Sequence, residues 1–355
     1  MREVPSPLEL LRELVELESP TGHTAELGER LADELAALGG SPVAEGEHLR
    51  AEFSGEGRPL LLLGHLDTVW PRGTLATMPW RVEDGRAYGP GSYDMKGGLV
   101  VMLEGIRVAQ TDRAVRVVLT ADEEIGSPSA RDTLARAAAG AAAAFVCEPP
   151  TSRGNLKTAR KGIGRFELRV TGHAAHSASP RHGVSAIEEL ARLTLRLHAL
   201  NDRASGVTVN VGVVSGGTRA NVVAAEATAR IDVRVPTLAE RERVERILRS
   251  LDPETEGASI EVGGGWTRPP LERSTGAAVL FERAREHGRA LGLDLGEASV
   301  AGGSDGNLVG ALGVPVLDGL GAEGGGAHAV REHVLVPSLE VRAQLLARIL
   351  RDPGV

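Results

Sequence analysis

The spacing of apolar residues changes character twice along the chain. Leu8, Leu11, Leu14 and Val15 recur at helical spacing after Pro7, which predicts a first helix ending near residues 18–22. A second helix is predicted over residues 24–38, stopped by Gly39-Gly40. Residues 60–63 are four leucines in a row. Such a run predicts a strand buried on both faces, and it leads directly into Gly64-His65-Leu66-Asp67. Two further buried strands are predicted over 115–120 and 143–147, leading into Asp122-Glu123-Glu124 and Glu148-Pro149-Pro150. Helices over 97–109 and 129–138 fall between them. Strands that alternate with helices and end on polar residues describe an open α/β sheet, whose sites lie at the carboxyl ends of its strands.

After Lys157 the period shifts. Residues 164–170 alternate apolar and polar, as in a strand with one exposed face. A helix over 184–200, strands over 207–214 and 225–235, a helix over 238–251 and a short strand over 259–262 complete the order β-α-β-β-α-β. That order is a ferredoxin-like module. Gly263-Gly264-Gly265 and Pro269-Pro270 mark its exit. The chain then resumes the α/β pattern, with helices over 274–291, 307–312 and 338–350 and strands over 298–301 and 314–317. The expected layout is a mainly parallel α/β domain in two pieces, 1–158 and 267–355, interrupted by an inserted domain over 159–266.

Composition narrows the classes. With 355 residues, 42% hydrophobic and 25% charged, the chain has the content of a two-domain globular protein. Its 40 basic and 48 acidic residues leave a net charge of −8 with no basic tract, which argues against nucleic acid as a partner. One cysteine, Cys147, allows no intrachain disulfide. No run approaches the roughly 18 apolar residues that span a bilayer, and the first helix has no basic start followed by an apolar stretch. The reading is a cytoplasmic protein without a membrane partner.

The strand ends and loops hold a set suited to metal chemistry: His65, Asp94, Glu124, Glu148 and His328. Two imidazoles and three carboxylates, with no thiolate, suit zinc. Five protein ligands are too many for one tetrahedral ion with an open position. They fit two ions, held about 3.5–4 Å apart, if one carboxylate bridges. Asp94 is the best bridge, because its glycine-rich loop, residues 91–98, permits close backbone approach. Taken singly, each residue also reads as a polar strand end, a turn or a solvated loop acid.

The motifs Gly64-His65-Leu66-Asp67-Thr68-Val69, Gly91-Ser92-Tyr93-Asp94-Met95-Lys96-Gly97-Gly98, Asp122-Glu123-Glu124-Ile125-Gly126-Ser127, Cys147-Glu148-Pro149 and Gly326-Ala327-His328 together resemble the M20 metallopeptidases. Within that family they are most similar to the glutamate carboxypeptidase branch, the carboxypeptidase G2-like enzymes. The resemblance implies a zinc-exopeptidase-like catalytic domain and two Zn2+ per chain, with Co2+ or Mn2+ as substitutes. It implies that Asp94 bridges the ions, with His65 and Glu148 on one and Glu124 and His328 on the other. Glu123 would be the general base and Asp67 the carboxylate that orients His65. A cis peptide is implied at Asp94–Met95.

The inserted domain then resembles a lid and dimerisation domain, implying a homodimer. In Gly172-His173-Ala174-Ala175-His176-Ser177, His176 matches a residue that stabilises the oxyanion in the partner subunit's site. Asn221, Arg234, Gly303 and Ser304 match substrate-binding positions, with Arg234 suited to a carboxylate. Glu148, where several aminopeptidases have Asp, favours cleavage beside a free carboxylate. The implied function is hydrolysis of an amide next to a free carboxylate, as a glutamate-carboxypeptidase-like peptidase. The alternative is an N-acyl amino acid deacylase of the acetylornithine or succinyl-diaminopimelate type. Substrates are small peptides or N-acyl amino acids.

Two other readings compete. Gly302-Gly303-Ser304-Asp305-Gly306 fits the G-x-S-x-G pattern of a serine hydrolase, with Asp318 and His328 following in order. The interval from Ser304 to His328 is short for such a triad, and that reading leaves the acidic strand ends unused. A non-catalytic binding protein would be expected to have lost a ligand or the base, and none is missing.

Overall fold

Polar residues flanking the apolar runs set where the elements begin. In the computed structural model, which describes residues 5–355, Ser6 accepts the N–H of Glu9 while Glu9 Oε2 accepts the N–H of Ser6 at 2.8 Å. This reciprocal cap, with Pro7 in the first turn, opens helix α1 (Pro7–Glu16). Helix α2 (Ala25–Ala37) follows. Next come strands β1 (Ser41–Glu45), β2 (His48–Phe53) and β3 (Glu56–His65), and the small hairpin β4 (Arg81–Glu83) and β5 (Arg86–Tyr88). Helix α3 (Gly97–Ala109), β6 (Arg113–Thr120), α4 (Arg131–Ala138), β7 (Ala143–Val146) and β8 (Leu156–Arg160) complete the first half.

The insertion contains β9 (Gly162–Thr171), α5 (Ala186–His198), β10 (Thr208–Gly216), β11 (Glu226–Val235), α6 (Leu238–Arg249) and β12 (Ser259–Arg268). The chain closes with α7 (Thr275–Arg289), β13 (Glu297–Val300), α8 (Asp305–Gly310), β14 (Val316–Leu317), β15 (Gly324–Gly325), β16 (His333–Leu335) and α9 (Val336–Arg351). Among the described residues, no helix is long and apolar enough to cross a membrane.

The chain forms two compact units. The larger holds the residues up to Ala159 with Arg273–Val300 and Ser304–Val355, and the smaller holds Arg160–Glu272 with Ala301–Gly303. The main sheet of the larger unit has the order β1-β2-β6-β3-β7-β14. Strand β3 runs parallel to β6 and β7, and β7 runs parallel to β14, whereas β2 pairs antiparallel with β6 and β1 with β2. The four leucines of β3 are fully buried because helices cover both faces of the parallel core. Strands β1 and β2 were not predicted. They form a hairpin at the sheet's edge, where β1 is largely exposed and so has no apolar face to betray it.

Helix α3 is buried nearly all round, against α1, α9 and the sheet. Its start lies directly on the end of β7: a Cβ on Gly98 would fall 1.9 Å from the carbonyl oxygen of Cys147. Only glycine allows this approach, which brings the loop before α3 close to the residue after Cys147.

In the smaller unit, β9 alternates as predicted, burying Phe166, Leu168 and Val170 while Arg165, Glu167 and Arg169 face out. Its four strands are all antiparallel in the order β10-β11-β9-β12, the ferredoxin-like arrangement of a βαββαβ chain. Helices α5 and α6 supply Leu190, Leu193, Leu197, Val244 and Leu248 to a core of its own. Strand β12 extends past the expected residue 262 to Arg268, because Gly263, Gly264 and Gly265 pair with β9 instead of leaving the sheet.

Candidate metal centre

Register in the main sheet decides which side chains meet. His65 at the end of β3 pairs with Thr120 at the end of β6, and Leu63 pairs with Val146 at the end of β7. The three strand ends therefore open on one edge, delivering His65, Glu123-Glu124 and Glu148 there. The loop before α3 adds Asp94, in a non-helical kink whose Asp94–Met95 peptide is cis, as the resemblance implies. The loop after β15 adds His328, in a left-handed backbone conformation with φ 61°.

Asp94 offers one carboxylate oxygen to each imidazole. Its Oδ1 lies 3.4 Å from His65 Nε2, and its Oδ2 lies 3.3 Å from His328 Nε2. Glu148 Oε1 is 3.5 Å from His65 Nε2, and Glu124 Oε2 is 3.4 Å from His328 Nε2. Ligand atoms of His65, Asp94 and Glu124 all fall within 4.8 Å of one another, and so do those of His65, Glu123 and Glu148. Glu123 thus stands among the converging carboxylates.

The tautomer of His65 follows from its neighbours. Its Nδ1 lies 2.8 Å from the carbonyl oxygen of Asp67, which can only accept, so Nδ1 carries the hydrogen. In the neutral ring that leaves a lone pair on Nε2, a buried atom with no hydrogen-bond partner, aimed between two carboxylates. Glu124 Oε1 is likewise buried without a partner. Lone pairs converging from an imidazole and carboxylates repel unless a positive charge lies among them, so these residues fit a cation.

The negative charge gathered here also acts on the protonation of each group. Burial disfavours a charged His65, but Asp67, Asp94 and Glu148 outweigh it and hold its pKa well above the ordinary value. Asp94 and then Glu124 push His328 up to about 10. Burial alone would raise Asp94, but His328 and His65 hold it far below the usual carboxylate range. Glu124 is raised, chiefly by burial.

Asp67 is the joint beneath the site. Its Oδ1 accepts the N–H of Glu123, and its Oδ2 accepts the N–H of Glu124 and the hydroxyl of Thr21 at 2.7 Å. Its carboxylate also lies 3.4 Å from His65 Nδ1. Glu332 was not singled out from sequence, since between Arg331 and His333 it reads as part of a solvated charged run. It is fully buried, and its carboxylate accepts hydrogen bonds from Trp70 and from the loop that bears Asp94.

The remaining residues lie elsewhere. In the smaller unit, His176 is exposed and its Nδ1 accepts the N–H of Ala178 at 3.0 Å, so its Nε2 carries the hydrogen. The segment bearing His176 bridges Val222, and Ser177 N–H donates to the carbonyl of Asn221, which puts the two motif segments side by side. Arg234 is clasped by Asp232 through bonds of 2.8 and 3.1 Å, and donates to the carbonyl of Ala301. The carbonyl of Gly303 accepts from Arg160 at 3.1 Å. In the larger unit, Ser304 is fully buried as the cap of α8 and donates to Asp318 Oδ2 at 2.6 Å. His328 faces Asp94 and Glu124 instead, so the serine-hydrolase arrangement is not formed.

The chain is similar along most of its length to proteins of one family. Residues 61–352 match the model of peptidase family M20/M25/M40. The chain is 31% identical to carboxypeptidase G2 of Pseudomonas sp. (strain RS-16), over 99% of this chain and 90% of that one. It is 30% identical to acetylornithine deacetylase of Proteus mirabilis, over 65% of this chain and 67% of that one. The Bacillus subtilis protein YXEP, described as a dinuclear metal-binding M20 peptidase, has the same fold at 17% identity, with a TM-score of 0.72 over 97% of this chain and 96% of that one. With the family match covering most of its length and a relative similar end to end, this chain belongs to the M20 family of metallopeptidases and is a hydrolytic enzyme.

Proposed function

We propose that this enzyme holds two zinc ions and hydrolyses an amide bond next to a free carboxylate, as a glutamate-carboxypeptidase-like peptidase. The observation that carries the reading is the division of Asp94: one oxygen beside His65 and Glu148, the other beside Glu124 and His328. Each half joins one imidazole to one terminal carboxylate and a shared one, a donor set that suits zinc. Bound divalent ions supply Lewis acidity, which polarises an amide carbonyl and makes water a better acid.

The chain's own residues do the rest. Asp67 fixes the backbone of Glu123 and Glu124 and orients the ring of His65. Glu123 accepts a proton from the attacking water on its carboxylate and returns it to the leaving nitrogen. His176 donates from Nε2 to the oxyanion in the site of a second subunit. Arg234 and Asn221 bind the substrate carboxylate and backbone, and the loop at Gly303 and Ser304 borders it. Dimerisation through the smaller unit is supported by β10, an edge strand with Val213 and Val214 exposed, and by Leu195 exposed on α5.

The branch assignment is supported by the end-to-end likeness to carboxypeptidase G2. The likeness to an acetylornithine deacetylase favours, as a second reading, deacylation of N-acyl amino acids by the same chemistry.

The test is metal content by mass spectrometry, with hydrolysis of a panel of N-acyl and N-peptidyl amino acids. About two zinc ions per chain and activity lost to chelator and restored by zinc are expected. Faster release of glutamate than of acetate or succinate supports the first reading, and the reverse order the second. Protein that binds no metal and gains no activity from it refutes both.

A further inference from the structure

Glu332 lies four residues after His328 and is 0% exposed. Its carboxylate takes four N–H donors, two on each oxygen. Oε2 accepts from the indole of Trp70 at 2.7 Å and from Gly91 at 3.0 Å, and Oε1 accepts from Tyr93 at 3.0 Å and Asp94 at 2.9 Å. Three of these donors are the backbone of the loop that presents Asp94. Lys96 feels the charge of Glu332 but is spent elsewhere: it is itself buried, and its Nζ donates to the carbonyl of Leu17 at 2.7 Å.

Two successive turns make up the segment from Gly326 to Glu332. Glu332 N–H donates to Ala329 at 2.8 Å, and Ala329 N–H donates to Gly326 at 2.9 Å. Gly326 is in the left-handed region with φ 78°, and a Cβ there would come within 2.8 Å of the carbonyl oxygen of Arg331. The turn that contains His328 therefore runs directly into the turn that ends at Glu332, and the carboxylate of Glu332 is tied to the backbone of Asp94. Across this clamp, His328 Nε2 and Asp94 Oδ2 face each other at 3.3 Å.

A buried carboxylate in a site already crowded with Asp67, Asp94, Glu123, Glu124 and Glu148 opposes itself electrostatically. Hydrogen bonds on both oxygens offset part of that cost, although burial still holds the carboxyl above its ordinary pKa, and a glutamine could not replace it. Each oxygen has two donors, so either orientation of an amide would point its NH2 at two N–H groups.

We propose that Glu332 is a positioning residue that sets the distance between Asp94 and His328, and so the affinity of the metal position these two share with Glu124. This rests on the two-ion reading above. The test is cobalt and zinc titration against a competing chelator, with the visible spectrum of bound Co2+ and far-ultraviolet circular dichroism, on wild type, Glu332→Gln, Glu332→Asp and Trp70→Phe.

Wild type is expected to bind two ions. Glu332→Gln is expected to bind one of them at least about tenfold more weakly, the size seen when groups supporting metal ligands are removed. The other ion should be little affected. Glu332→Asp, which keeps the acceptors but shortens the reach, should fall between. Trp70→Phe removes one donor of four and should weaken the same ion severalfold. A folded Glu332→Gln protein that binds both ions as wild type does overturns the proposal. Should that variant not fold, Trp70→Phe decides, and unchanged affinity in it overturns the proposal. Wild type that binds no metal brings down the two-ion reading and this inference with it, an outcome distinct from all the others.

Discussion

Asp67 Oδ1 accepts the backbone N–H of Glu123 at 3.0 Å, joining the end of β3 to the end of β6. The same carboxylate holds the N–H of Glu124 and faces Nδ1 of His65. One side chain thus sets the direction of a proposed base and of two proposed ligands. Asp67→Asn turns one of these acceptors into a donor. It should lower kcat about 10–100-fold, with a smaller change in KM. Steady-state hydrolysis of the best substrate checks this, and wild-type kcat in a folded variant counts against the role of Asp67.

Glu123→Gln removes the proton acceptor and leaves the other carboxylates in place. Metal content should stay near that of wild type, while turnover should fall by at least about a hundredfold. Mass spectrometry and single-turnover kinetics on the same preparation separate the two effects. Loss of metal would make Glu123 a ligand, as its nearness to His65 and Glu148 allows. Retained turnover would remove it from the mechanism.

Arg234 already has a carboxylate partner in Asp232, an ion pair with which a substrate carboxylate at the proposed Arg234 site would compete. Arg234→Gln should therefore raise KM about tenfold or more for substrates with a free carboxylate, and much less for their amides. Asp232→Asn should lower KM for the same substrates. Equal effects on acid and amide substrates would mean that Arg234 does not read the carboxylate.

At the edge of the sheet, Glu45 of β1 accepts from Arg136, from Arg50 at 2.7 Å and from Thr133 at 2.9 Å. Those arginines, Arg136 first, lower its pKa from 4.5 to about 2. A carboxyl group whose folded pKa is depressed contributes stability above its unfolded pKa and loses it as pH falls through the folded value. Glu45→Gln should cost about 1 kcal/mol at neutral pH, discounted because Arg136 is largely exposed, and the difference from wild type should shrink between about pH 4.5 and pH 2. Urea melts across that range check it, and a pH-independent difference refutes it.

The legible parts of this protein were those whose signal is local. Leu60–Leu63, bounded by Pro59 and Gly64, announce a short buried strand, and β9 announces one exposed face, because side-chain direction follows the backbone period. Strand β1 was silent because an edge strand with little buried surface needs no apolar face, whereas its partner β2 buries Leu49 and Ala51 in a run of only six residues. The early end expected for β12 came from reading Gly263-Gly264-Gly265 as a linker. Glycine's permissiveness allows a break in a strand but does not force one.

The same division runs through the site. By itself, the sequence determined the α/β core with its inserted βαββαβ unit, and the residue types available at the strand ends. Both depend on patterns within a few neighbouring residues. Only the tertiary structure decided that each oxygen of Asp94 meets a different imidazole, that Asp67 underlies three of the converging groups, that Arg234 is held by Asp232, and that Glu332 is buried beneath the Asp94 loop. Those relations depend on strand register and on loops more than 200 residues apart, as Asp94 and Glu332 are. A hydrogen bond is specified by a few tenths of an ångström, which local pattern does not carry.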